Sequence, residues 1–89
     1  MKAILTVIGS DRVGIIAAVC AALAKDNINI LDISQTVMKE YFTMIMLVDL
    51  SECKLAFGEV AETMDALGAR EGLSVRIQRE DIFHAMHRI

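Results

Sequence analysis

Apolar residues recur along the chain at two spacings, and the switches between them mark out the elements. Ala3-Ile4-Leu5-Thr6-Val7-Ile8 is a short, β-branched apolar run closed by Gly9, and it predicts a first strand. Ser10 and Asp11 follow, both good helix N-cap residues. From Val13 to Asp26 the spacing predicts a helix, with Ile16, Val19, Cys20 and Leu23 repeating at helical intervals. Asn27 ends that helix, and a second strand is expected over about Ile28 to Met38. Lys39-Glu40 turns into a third strand, Tyr41 to Leu50, so the two strands should form an antiparallel hairpin. Ser51-Glu52-Cys53 opens a second helix with Ser51 as the expected cap. Phe57, Val60, Ala61, Met64 and Leu67 form its apolar stripe, while Glu59, Glu62 and Asp65 face water. Gly58 lies inside this pattern and should cost about 1 kcal/mol relative to Ala. Gly72 closes the helix. Leu73, Val75 and Ile77 then alternate with Ser74, Arg76 and Gln78 as a fourth strand, and Asp81 caps a last short helix through Ile82, Phe83 and Met86.

The strands differ in how many faces are apolar. The third carries Phe42, Met44, Met46, Val48 and Leu50 on one side and Tyr41, Thr43, Ile45 and Leu47 on the other. The first sets Ala3, Leu5 and Val7 against Ile4, Thr6 and Ile8. The second has Asp32, Ser34 and Thr36 on one face, and the fourth is cleanly half polar. Two apolar faces suit central strands and one suits edges. With right-handed crossovers, the expected fold is α+β: a ferredoxin-like βαββαβ sandwich with antiparallel sheet order 4-1-3-2. Both main helices cover one face, and the short C-terminal helix is extra. The other face would then expose Ile4, Ile8, Ile45 and Leu47, and the outer positions of the first helix are Ala17, Ala18, Ala21 and Ala24. Both surfaces are expected to be buried by self-association.

Composition sharpens this. The 89 residues are expected to form one domain, 1–89. A chain this short buries only roughly 60–65% of its unfolded surface, so oligomerisation is a usual remedy for its marginal stability. Apolar residues make up 55%, yet the longest stretch without a polar side chain, Val13 to Ala24, is 12 residues. A spanning helix needs about 20. Met1-Lys2 and the apolar run after it are interrupted by Asp11 and Arg12 with no small-residue cleavage site, which argues against a signal peptide. Cys20 and Cys53 are unclustered and read as free thiols, so a cytoplasmic setting is expected. A net charge of −3 without a Lys/Arg cluster argues against nucleic-acid binding.

One segment is more specific. Gly9-Ser10-Asp11-Arg12-Val13-Gly14-Ile15 leaves the first strand, and Asn27-Ile28-Asn29-Ile30 enters the second. This resembles the ACT domain family, with its D-R-x-G-[IL] turn and N-[IV] start to the second strand. The resemblance covers essentially the whole chain. Asp32-Ile33-Ser34-Gln35-Thr36 and the Ile82-Phe83 segment are similar to stand-alone ACT proteins, kin of the ACT modules in glycine-cleavage repressor-type regulators. The resemblance implies a regulatory module that binds an amino acid or similar metabolite where two ACT domains meet, in a dimer or tetramer, and that acts on a separate partner protein. Residue by residue, it implies a ligand site at Ser10, Asp11, Arg12, Gly14, Ile15, Asn27 and Asn29. The chemistry fits: Gly14 permits close approach, the helix N-terminus favours a carboxylate, and Arg12 can add a charge-assisted bond. Asn29 both donates and accepts, and Asp11 can meet an ammonium. The plainer alternative is that Asp11 is only a cap, Arg12 is solvated, and the two asparagines shape a turn.

Catalytic constellations are weak. His84 and His87 lie three apart, and two imidazoles without a third ligand make a poor metal site. Cys20 sits in an apolar run that should leave it inert, and Cys53 has no base placed by sequence. Met44, Met46, Met64 and Met86 fit core stripes. No cofactor and no enzymatic activity are expected. An acylphosphatase-like hydrolase shares the fold and size, but the loop has only Gly9 and Gly14 and the Asn-x-x-Asp-Gly hairpin signature is missing. A ligand-free adaptor is the other alternative. An RNA-binding sheet is disfavoured because no aromatic pair lies on the open faces of strands 1 and 3.

Overall fold

The fold was established from a computed structural model that describes residues 1–10 and 13–81. Six elements follow in chain order: β1 (Lys2–Ser10), α1 (Ile15–Lys25), β2 (Asn29–Met38), β3 (Tyr41–Asp49), α2 (Phe57–Glu71) and β4 (Ser74–Arg79). They form one antiparallel sheet in the order β2-β3-β1-β4, the expected 4-1-3-2 read from the other edge.

The alternation along the central strands decides the faces. Ala3, Leu5 and Val7 of β1 and Phe42, Met44, Met46 and Val48 of β3 are buried beneath the helices, joined by Val75 and Ile77 of β4. Val60, Met64 and Leu67 of α2 close this core, as their helical spacing requires. The stripe of α1 is Ile15, Val19 and Leu23, a strict i, i+4, i+8 row. The expected stripe included Ile16, but Ile16 is 41% exposed and Ile15 only 2%. Cys20 is half-buried rather than enclosed.

Three other expectations are corrected. Neither helix takes its expected serine cap. Ser10 ends β1, paired with Tyr41, and α1 begins after Gly14, with no side-chain cap among the described residues. Asp11 lies outside the described residues. Ser51 turns back instead: its N–H and hydroxyl donate to Asp49 Oδ1 at 3.0 and 2.6 Å, and α2 starts later, at Phe57. There the Ala56 N–H donates to Glu59 Oε1 at 3.1 Å, half of a capping box. Gly58 therefore sits in the first turn of α2, with open space around a notional Cβ, and not in a helix interior.

Both helices end at a left-handed residue, and α1 shows the full Schellman bond pair. At α1, Ile28 N–H bonds the Leu23 carbonyl and Asn27 N–H that of Ala24, with Asn27 left-handed at φ 58. Asparagine is one of the few side chains that tolerate this. At α2, Leu73 N–H bonds the Gly68 carbonyl past the left-handed Gly72. Gly68 is also required by space, since a Cβ there would lie 2.6 Å from the Leu73 carbonyl oxygen. Arg79 pairs with Asp81 at 3.0 Å where the described chain ends. The expected C-terminal helix, Met86, His84 and His87 lie outside the described residues.

Candidate functional site

The entry into α1 carries a backbone constraint at Gly14. Gly14 adopts φ +94, a conformation that L side chains rarely reach, and its carbonyl accepts the Ala18 N–H at 2.9 Å. A Cβ there would meet nothing within 4 Å, so torsion and not crowding makes glycine necessary. The first N–H groups of α1 have no acceptor within the helix, and no acidic residue stands in its first turn. This end therefore favours an anion. Ser10 is exposed beside it, whereas the buried Ile15 side chain can offer only its backbone N–H. Asp11 and Arg12 lie outside the described residues.

Asn27 and Asn29 are exposed, but they are not beside this turn. Asn29 pairs with Asp49, which pairs with Lys2 at the start of β1, whereas Ser10 pairs with Tyr41. The eight-residue step along β3 from Tyr41 to Asp49 spans about 26 Å at strand rise. The two groups of candidate residues thus occupy opposite ends of one protomer's sheet. At the Asn29 end, the Ser51 hydroxyl and then the Ser51 N–H, both donating to Asp49, hold its carboxyl below the ordinary aspartate value. The N-terminal ammonium lies 3.9 Å away.

Two further features belong to the surface around these groups. A groove of about 510 Å³ runs between α1 and α2, floored by Ala18, Ala21, Ala22, Ala66 and Leu67 with Lys25 and Arg70 on its walls. This is the alanine side of the first helix. On the opposite flank of α1, Ile16 is exposed, and so are Leu31, Ile33 and Val37 on β2. Sequence reasoning missed this flank. It placed β2 at the sheet edge, as observed, but assigned no exposure to its apolar residues. A bulge between Ile30 and Asp32 interrupts its register.

No helix among the described residues is long and apolar enough to cross a membrane, and no cluster of three His, Cys, Asp or Glu could hold a metal ion among them.

Comparison with known proteins fixes the class. The ACT domain family matches residues 2–78, and the chain belongs to it. A UPF0237 protein of Clostridium acetobutylicum is 57% identical over 89 residues, with both chains covered completely. Among solved structures, an ACT domain protein from Streptococcus pneumoniae superposes with a TM-score of 0.84 at 44% identity, 98% of each chain covered. A protein described as a glycine cleavage system transcriptional repressor matches with a TM-score of 0.73 at 25% identity, covering 86% of this chain and 44% of that one. ACT domains are typically regulatory modules that bind small ligands and commonly form oligomers.

Proposed function

We propose that this protein is a cytoplasmic, non-catalytic sensor that binds an amino acid or similar metabolite between two copies of itself and passes the bound state to a separate partner protein. The observation that carries the reading is the division of the candidate residues. Ser10, which leads into the turn, and the asparagines at 27 and 29 lie at opposite ends of one sheet. Pairing β2 antiparallel with β2 of a second copy brings the turn of each protomer to the asparagines of the other. The exposed apolar flank of Ile16, Ile33 and Val37 is the surface such a pairing would cover. The ligand's carboxylate would meet the α1 N-terminus and Arg12, its ammonium Asp11, and its remaining polar groups the partner's Asn29. Ligand bound across the seam favours one packing of the subunits.

A thermal-shift screen of the twenty amino acids, with nucleotides and folates beside them, tests this. At least one amino acid should raise Tm, with a rise that grows with ligand concentration, and Gly14→Val should remove the effect. The exposed apolar surfaces also suit a ligand-free adaptor, which predicts no shift with any of these compounds. Acyl-phosphate turnover lost in Arg12→Ala would instead make the protein a hydrolase.

A further inference from the structure

The open face of the sheet is distinct from the β2 edge, and its chemistry is arranged by column. Its centre is apolar: Ile4 and Ile8 from β1, Ile45 and Leu47 from β3, with Ile8 46% and Ile45 42% exposed. The two outer strands are polar on this face and carry one charge each. Arg76 stands on β4, in the row of Thr6 and Ile45. Asp32 stands on β2, one row along, beside Leu47 and Ile4. At one end of the central strands Lys2 and Asp49 lie directly opposite each other. Cation and anion are therefore on opposite sides of the midline in both places.

We infer that this face packs on the same face of a second copy, about a two-fold axis running along the strands. That axis exchanges left and right, so β4 lies over the partner's β2 and β1 over the partner's β3. Arg76 then faces Asp32 of the partner subunit, Lys2 faces Asp49 of the partner subunit, and each pair occurs twice because the interface is isologous. Aligned sheets stack about 10 Å apart, and the one-row offset between Arg76 and Asp32 is about 7 Å, within the reach of an arginine. A two-fold axis across the strands buries the same isoleucines but lays β4 on β4 and sets Arg76 against Arg76. The charge pattern thus selects one of the two symmetric dockings. The face measures roughly 19 by 26 Å, about 500 Å² in flat projection and more along its corrugated surface, which is in the range of a small specific interface.

Charge reversal tests the axis. Sedimentation equilibrium of the full chain at low salt gives the dissociation constant for face-to-face association. Arg76→Glu and Asp32→Arg should each weaken it about tenfold or more, and the two together on one chain should restore it to within about threefold, because the reversed charges again meet across the axis. Circular dichroism of each variant should match the wild type, as both positions are exposed. Ile45→Glu should abolish the association in a folded protein. Additive weakening in the double variant, or single reversals without effect, overturns the proposal. A dimer insensitive to all of these but lost on substitution at Ile33 and Val37 would overturn it while leaving the sensor reading intact. A monomer at 100 µM (a concentration of about 10⁻⁴ M) would overturn both.

Discussion

The two faces of the sheet are made from the same strands, by alternate residues of nearly the same hydrophobicity, and they end in opposite environments. Met44 and Met46 are fully buried, while Ile45 between them is 42% exposed. The difference is coverage: both helices cross on one side, a consequence of right-handed connections in a βαββαβ chain. A β-branched residue on an uncovered face contributes little to the fold of a single chain. Its presence there marks a surface that finds its burial in association.

Truncation on the covered face sharpens this most. Met46→Ala or Leu5→Ala should cost about 2–5 kcal/mol, a large share of the stability of so small a domain, and urea unfolding should show it. Ile45→Ala on the open face should cost under about 1 kcal/mol in the monomer and register chiefly in the association constant. An equal loss at the two positions in the monomer would break the comparison. Among the glycines, Gly14→Ala should destabilise by about 1 kcal/mol, since φ +94 strains any Cβ. Gly58→Ala, in the first turn of α2 with space around it, should be neutral or stabilising by up to about 1 kcal/mol.

The smallest effect is in pH. The carboxyl of Asp49 is held below its ordinary value in the folded chain by the Ser51 bonds. A depressed folded pKa stabilises above the unfolded pKa, and that stability is lost as pH falls through the folded one. Asp49→Asn should therefore lower Tm slightly at neutral pH and converge on the wild type in acid, so that the acid limb of the Tm-against-pH profile is flatter.

The sheet order and the inward and outward residues of β1, β3 and β4 were legible because a period of two assigns each side chain to a face without ambiguity. The phase of α1 was not. The run from Val13 to Ala24 has no polar side chain to mark its outer side, so Ile16 was read as core and Ile15 as a ligand contact. The start of α2 was hidden because Ser51, a good cap by type, serves Asp49 instead. The division of the candidate site was legible in principle. A strand-helix-strand unit always sends its two junctions to opposite ends of the sheet, so Gly14 and Asn29 cannot be neighbours within one chain. Only a second copy can join them.

That requirement gives the most direct test of the sensor reading. Arg12→Ala and Asn29→Ala variants are prepared separately, each expected to show no thermal shift with the amino acid that stabilises the wild type. They are then mixed in equal amounts and allowed to exchange subunits. If the site is shared between two copies, each mixed dimer holds one intact site, and about a quarter of the wild-type binding capacity returns in equilibrium dialysis. If each chain carries its own site, no capacity returns on mixing, and the account is contradicted.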